Sequence, residues 1–142
     1  TNTALGALSP LEKKGVQPYL LRNTIVGLVA QRLIRLLCPN YRQAKQPVAY
    51  ECEFLKLDEP PTLYRAVGCE KCAHEGYKGR QGIYEVIVID DELRRMIHNG
   101  ASELELEQHA RTKTGGIRDD GREKILDGST SVDEVMRVTM ED

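Results

Sequence analysis

Tryptophan is absent from the 142 residues, and phenylalanine occurs only once. Because large aromatic side chains are scarce, the core must be built mainly from aliphatic residues. No apolar run reaches the roughly 20 positions that a membrane-spanning helix needs, so the sequence predicts no direct membrane span. Clustered basic charge is also missing, and the formal net charge is −2. Since nucleic-acid binders neutralise phosphates with grouped Lys and Arg, we expect no nucleic-acid partner.

A phosphate-binding loop is missing as well. No segment reads Gly-x-x-x-x-Gly-Lys-Ser/Thr, and no acidic Walker B strand is evident. That loop supplies the backbone amides, the lysine and the magnesium-bound hydroxyl that hold a nucleoside triphosphate in a reactive geometry. We therefore expect this chain by itself not to hydrolyse ATP, and we assign no catalytic residue.

The composition is otherwise typical of a folded, soluble domain, with 40% hydrophobic and 30% charged residues. A length of 142 residues suits about one domain. The first residue is Thr1 rather than Met, and this start favours a piece of a longer protein over a processed terminus.

Two helices are predicted in the first part of the chain. Residues 6–15 form a short helical pattern with Ser9 as its cap and Gly15 as its end. Residues 18–37 carry apolar side chains at helical spacing between two prolines, which predicts the longest helix of the chain.

The rest of the chain has the pattern of loops, short strands and capped helices. Residues 39–61 are rich in proline and predict loops around one short element. Strands are predicted at 63–67 and 83–89. Capping signals predict helices in the last third, after Asp90 or Asp91, after Ser102, around 119–127 and after Ser131. The predicted fold class is α+β and α-rich.

Four cysteines, at positions 38, 52, 69 and 72, are the clearest chemical signal. Cys69 and Cys72 are separated by two residues, and this spacing lets both thiolates face one ion across a tight turn. Cys38, which follows the predicted long helix, is the natural third ligand. A closed structural zinc site needs four ligands in a tetrahedron, so these three predicted zinc ligands leave one position to fill.

The fourth ligand stays open. A second Cys-x-x-Cys pair would place a thiol at Tyr41, and a phenol with a pKa of about 10 is a poor zinc ligand near neutral pH. Cys52 or His74 could fill the position, or zinc binding could be weakened or lost. Buried thiols that only pack are an alternative. A disulfide is disfavoured because nothing points to secretion, and a redox pair is disfavoured because glycines rather than a helix follow Cys72.

Several segments, taken in order, resemble one known family. Residues 1–4 are similar to the tail of its histidine box, and residues 29–39 to its Ala-Gln-Arg-Leu helix and first cysteine pair. Residues 68–85 resemble its second cysteine pair and the Gly-Tyr-Lys-Gly-Arg segment that follows, and residues 117–121 and 132–138 resemble its closing helices. The family is that of the type II secretion ATPases, general secretory pathway protein E, to which the type IV pilus assembly ATPases are related.

This resemblance implies three parts: residues 1–37 as the end of a RecA-like ATPase domain, 38–82 as a zinc-binding cysteine subdomain, and 83–142 as a strand with a helical C-terminal region. It implies that the parent protein is a cytoplasmic homo-hexamer which binds ATP and magnesium. That parent would dock on the secretion platform proteins of the inner membrane and drive pseudopilus assembly. This chain would be a structural module of it.

The resemblance also suggests two nucleotide-side residues. Arg80 matches an arginine close to the bound nucleotide, where a guanidinium can pair with phosphate oxygens, and Arg32 is a second candidate for a nucleotide-side or structural role. Tyr41 departs from the family pattern, which has a second thiol there, and residues 7–15 follow the pattern only loosely. A type IV pilus assembly ATPase, a stand-alone zinc-binding adaptor and a redox enzyme using Cys69 and Cys72 remain as alternatives.

Overall fold

The computed structural model describes residues 3–17, 20 and 24–140. The chain divides into two compact units, one formed by residues 1–31 and 84–117 and the other by residues 32–83 and 118–142. Both units contain helices and strands, so the mixed α and β content is confirmed. In chain order the described elements are α1 (Leu8–Lys13), β1 (Gly27–Leu37), β2 (Arg42–Lys45), α2 (Ala49–Leu55), β3 (Leu63–Ala66), β4 (Tyr77–Val88), α3 (Asp91–His98), α4 (Glu103–Arg111), α5 (Ile117–Leu126) and α6 (Val132–Thr139), with short 3-10 helices at Leu5–Ala7 and Glu70–Cys72.

Strand β1 stands where the sequence predicts a helix over residues 18–37, and for residues 27–37 that prediction is wrong. This segment has apolar residues at helical spacing, Val29, Leu33, Leu36 and Leu37, as well as at alternating positions, and Leu, Ala, Gln and Arg favour a helix in isolation. Pairing with β4 decides in favour of the strand. Residues 18, 19 and 21–23 of the predicted helix lie outside the described residues. From Leu28 to Leu36 the less exposed residues of β1 alternate, and the last residue, Leu37, is buried as well; the alternating set is Leu28, Ala30, Arg32, Ile34 and Leu36.

Strands β1 and β4 form a two-stranded sheet. The amide of Ile89 donates to the carbonyl of Val26 at 3.0 Å, and the amide of Cys38 donates to the carbonyl of Gly76 at 2.9 Å. The start of one strand therefore lies beside the end of the other, and the two run antiparallel. The strand predicted over residues 83–89 is confirmed, and it extends further toward its N-terminal end than predicted.

An aliphatic core forms within the first unit, as the scarcity of aromatic residues predicts. A buried carboxylate lies beside this core: Glu85 accepts a hydrogen bond from the amide of Ala4 at 2.9 Å and forms an ion pair with Arg111. The partner charge offsets part of the cost of taking a carboxylate out of water. The buried members of the core are Ala4, Leu5, Leu8, Ile87, Ile89, Leu93, Ile97, Leu106 and Ala110.

The helix caps of the first unit follow the predicted signals at two of three positions. Asp90 accepts a hydrogen bond from the amide of Leu93 at 2.7 Å, and Ser102 accepts one from the amide of Glu105 at 3.2 Å. Ser9, by contrast, lies inside α1 and does not cap it, because the preceding 3-10 turn runs directly into that helix. The short helix itself is confirmed.

The second unit contains the other sheet, in which β2 and β3 pair antiparallel with Arg42 opposite Ala66 and Lys45 opposite Leu63. The predicted strand here is confirmed. The proline-rich segment before it holds two elements, β2 and α2, rather than one short element.

Helices α5 and α6 of the second unit are both confirmed. They pack closely, since a Cβ placed on Gly121 would lie only 2.5 Å from Cγ1 of Val135. The predicted cap of α6 is present, with Ser131 Oγ accepting a hydrogen bond from the amide of Glu134 at 3.2 Å.

Candidate metal centre

Three of the four cysteines come together in the second unit. Sγ of Cys69 lies 3.6 Å from Sγ of Cys38 and 3.6 Å from Sγ of Cys72. The three sulfur atoms all lie within 4.8 Å of one another. The structure thus joins the predicted pair to the predicted third ligand.

The turn that carries the pair is held by glycine. A Cβ at Gly68 would lie 2.4 Å from the carbonyl oxygen of His74, and a Cβ at Gly76, which has a φ of +84°, would lie 2.6 Å from Cβ of Ala66. Such close approaches leave no room for a side chain. Gly76 also accepts the hydrogen bond from the amide of Cys38, so the same turn fixes the third thiol.

Two backbone amides activate the thiol of Cys72. The backbone amide of Cys69 lies 3.3 Å from its sulfur and that of Gly76 lies 3.2 Å away. The first of these hydrogen bonds, helped by the second, outweighs burial and lowers the pKa of Cys72 to about 7. Burial has the larger effect on Cys69 and raises the pKa of its thiol. Of the pair, Cys72 therefore supplies a thiolate more readily than Cys69.

The spacing of the sulfur atoms fits zinc. Zn–S bonds of about 2.3 Å in a tetrahedron separate two sulfur ligands by about 3.8 Å, close to the two distances of 3.6 Å. Three soft thiol donors on one side of a site also select zinc over hard cations such as magnesium or calcium. The residues present therefore fit a zinc ion, which they would hold as a structural link between the end of β1 and the turn at residues 68–76.

The two residues considered as fourth ligands do not join this group. Among the described residues, neither Cys52 nor His74 places a ligand atom with the three thiols. Tyr41 is 55% exposed. The fourth position remains without a protein ligand in the described part of the chain.

The two arginines suggested by the family resemblance differ in their surroundings. Arg80 lies exposed on β4. Arg32 is partly buried on β1 and donates a hydrogen bond to the carbonyl of Val138 near the end of α6. A helix C-terminus offers unpaired carbonyls and favours a positive charge, so this contact holds the guanidinium of Arg32 against the end of α6.

A buried carboxylate near the end of β1 is the feature that sequence reasoning missed. Glu134 has a fully buried side chain, which accepts hydrogen bonds from the backbone amide of Arg35 at 2.7 Å, from Arg35 Nη2 at 2.9 Å and from Arg137 Nη2 at 2.8 Å. Burial acts to raise the pKa of this carboxyl, but the hydrogen bonds from Arg137 and Arg35 outweigh it and hold the pKa at about 2. Glu134 is thus an anion that fastens α6 to β1.

Further contacts hold the same end of β1. The guanidinium of Arg35 lies 4.3 Å from the ring centre of Tyr77, whose hydroxyl is 2.6 Å from Oγ of Ser131. The hydroxyl of Thr130 donates to the carbonyl of Arg35 at 2.8 Å, and the amide of Leu37 donates to the loop between α5 and α6. These contacts position the strand residue directly before the first metal-ligand candidate. The one signal for Glu134 in the sequence was the capping pattern with Ser131. That pattern predicts the hydrogen bond of the Glu134 backbone amide, but it does not predict the contacts of the Glu134 side chain.

Comparison with known proteins identifies the class. Residues 1–137 match the family model described as type II/IV secretion system protein, and the chain belongs to this family. The resemblance stated from the motifs is confirmed.

Individual relatives carry more specific names. The type II secretion system protein E of Pseudomonas aeruginosa is 49% identical over the whole chain, and the type II secretion system ATPase E of Vibrio cholerae is 47% identical over 99% of the chain. The corresponding protein of Dickeya dadantii is 46% identical over the whole chain. The chain spans 28 to 29% of the length of these relatives. No described helix is long and apolar enough to cross a bilayer.

Proposed function

We propose that this chain is the C-terminal part of a cytoplasmic ATPase that powers type II protein secretion by driving pseudopilus assembly. The observation that carries the proposal is the family match over residues 1–137. Relatives named as type II secretion protein E or ATPase E, identical at nearly half of the positions, support it.

Within that protein the chain acts as a structural and assembly module. Residues 1–37 are the end of a RecA-like domain, residues 38–82 form the zinc subdomain, and residues 83–142 form the C-terminal strand and helices. The absence of a phosphate-binding loop from these 142 residues supports a role in which ATP and magnesium are bound elsewhere in the parent.

Zinc contributes to this role as a structural ion. Cys38, Cys69 and Cys72 supply thiolates, and the distance of 3.6 Å from the sulfur of Cys69 to each of the other two supports the assignment. A metal ion that joins the end of β1 to the turn at residues 68–76 adds a further link between segments that are distant in sequence.

Arg80 is the residue of this chain that we place nearest to nucleotide. Its exposure on β4 leaves the guanidinium accessible to a phosphate group supplied by another part of the parent or by a neighbouring subunit. The parent assembles as a homo-hexamer and binds the secretion platform proteins at the cytoplasmic face of the inner membrane.

A second candidate is a type IV pilus assembly ATPase. The family description covers both type II and type IV systems, and the chemistry of the module is the same in both. A stand-alone zinc-binding adaptor accounts for the cysteine site but not for the match along the whole chain.

A chimera tests the proposal. The corresponding C-terminal part of the Pseudomonas aeruginosa relative is replaced by this chain, and secretion is measured in cells that lack their own copy. We expect secretion to be restored, and Arg80→Ala to reduce it far more than Lys78→Ala, which changes another exposed cation of the same strand. A stably expressed, hexameric chimera that secretes nothing would contradict the proposal.

A further inference from the structure

Three thiols lie close enough together to hold one metal ion, and two of their sulfur–sulfur distances, both 3.6 Å, suit zinc. The sulfur atoms of Cys38, Cys69 and Cys72 lie within 4.8 Å of one another, and among the described His, Cys, Asp and Glu residues no fourth ligand atom joins them. Zinc binds three or four protein ligands, and sites with three keep a position for an outside ligand.

The side chains that could close the site are held elsewhere. Tyr41 is 55% exposed. Cys52 lies in α2 and is outside the group. His74 is close in sequence, and its amide donates to the carbonyl of Cys69 at 2.8 Å, but its imidazole is not among the ligand atoms that lie with the three thiols.

The group is also accessible from outside. Cys38 is 0% exposed and Cys72 is 6% exposed, whereas Cys69 is partly exposed. The site therefore reaches the protein surface on the side of Cys69, and a ligand approaching from solvent does not have to cross the core.

We propose that the chain supplies only three thiolate ligands to zinc and that the fourth coordination position is open to a thiolate from outside the chain. This proposal rests on the zinc binding proposed above. A thiolate is the donor that matches the three already present, because soft donors favour the same ions. An incoming thiol binds through its sulfur and releases its proton to solvent, and nothing is oxidised or reduced. The thiolate comes from a small soluble thiol or from a cysteine of a second copy of this chain.

Cobalt titration tests this proposal, because Co²⁺ takes the place of Zn²⁺ and gives a thiolate charge-transfer band that grows with the number of sulfur ligands. The chain is loaded in thiol-free buffer, and 2-mercaptoethanol is then added. We expect about one metal ion per chain, with a band about three quarters as strong as that of Tyr41→Cys, as three thiolates compare with four. The band of the unchanged protein should rise on addition of the thiol, and that of Tyr41→Cys should not.

The affinity for zinc provides a second readout. We expect Tyr41→Cys to bind zinc at least roughly tenfold more tightly than the unchanged chain, since a further protein ligand closes the site. His74→Ala should behave as the unchanged protein does. If the four-sulfur band forms without added thiol, disappears on dilution and accompanies dimers in sedimentation, the outside thiolate is a cysteine of a second copy.

Other outcomes overturn the proposal. A four-sulfur band that persists on dilution and is lost in Cys52→Ser would make Cys52 the fourth ligand. If added thiol leaves the band of the unchanged protein as it is but strengthens the band of His74→Ala, the fourth ligand is the imidazole of His74. If neither the unchanged chain nor Tyr41→Cys binds metal, the zinc site itself is refuted; if both bind but neither the thiol nor the extra cysteine changes the spectrum, only the open position is refuted.

Discussion

Replacing Glu134 with glutamine should destabilise the second unit measurably. The substitution keeps the shape of the side chain but removes the charge that Arg35 and Arg137 contact at 2.9 and 2.8 Å. A glutamine also turns one acceptor into a donor, so at least one of the converging N–H groups loses its partner.

The size of the effect follows from the pKa of the carboxyl. A pKa of about 2 instead of 4.5 corresponds to about 3 kcal/mol of preference for the charged form, at about 1.4 kcal/mol per pKa unit. The side chains of Arg35 and Arg137 are 44% and 56% exposed, and solvent screening of these charges lowers the expected loss to about 2 kcal/mol.

Urea unfolding followed by circular dichroism measures this loss. With a slope of about 2 kcal/mol per molar urea, the midpoint of Glu134→Gln should fall by about 1 M. Glu123→Gln, which changes an exposed glutamate of α5, is the control and should leave the midpoint unchanged. Equal midpoints for Glu134→Gln and the unchanged protein would refute the reasoning.

The same carboxyl predicts a dependence on pH. Its folded pKa of about 2 lies below the ordinary value of 4.5, so its contribution to the free energy of unfolding is complete above that ordinary value and is lost as the pH falls toward 2. The Glu134→Gln variant has no carboxylate at this position, so it has no such contribution to lose on acidification. The difference in stability between the two proteins should therefore shrink across this acid range, whereas effects shared by both, such as metal release, cancel.

Three further predictions concern other parts of the chain. Gly76→Ala should lower the free energy of unfolding by at least about 2 kcal/mol and reduce zinc uptake, because its Cβ would lie 2.6 Å from Ala66. Gly100→Ala is the control, with a similar positive φ but no atom within 4 Å, and should cost only about 1 kcal/mol. Equal losses of the two variants in thermal unfolding would argue against the steric explanation. Asp90→Ala should lower the stability of the first unit by about 1 kcal/mol, because it removes a helix cap. The hydrogen bond from the amide of Leu93 is the main cause of the lowered pKa of Asp90, so the stability that the cap contributes should fade as the pH falls below the ordinary pKa of an aspartate. A loss that does not depend on pH would contradict this explanation. The chain alone should show no magnesium-dependent ATP hydrolysis above the blank, and turnover that persists through stringent purification would disprove this.

Local signals in the sequence predicted much of the secondary structure. The side chains of Asp90, Ser102 and Ser131 cap the helices that they were expected to cap. A capping side chain bonds to an amide two or three residues away, so the contact lies within a short stretch of sequence. The strand at residues 63–67 was found for a similar reason, since its boundaries are marked by nearby proline and glycine.

The strand β1 shows where such signals fail. Residues 27–37 contain good helix formers, and their apolar positions fit both repeats. The choice depends on β4, about 50 residues further along the chain, whose backbone groups pair with those of β1. A single segment carries no information about a partner at that distance.

For the metal site, too, some features followed from the sequence and others only from the tertiary structure. By itself, the sequence determined the close pair Cys69 and Cys72, the family and the missing thiol at Tyr41, because spacing and residue identity are local properties. Only the tertiary structure decided that Cys38, 31 residues away, lies 3.6 Å from Cys69, and that Glu134 meets a strand residue 99 positions away. Both contacts are set by backbone hydrogen bonds and buried charges that form only when distant segments pack together.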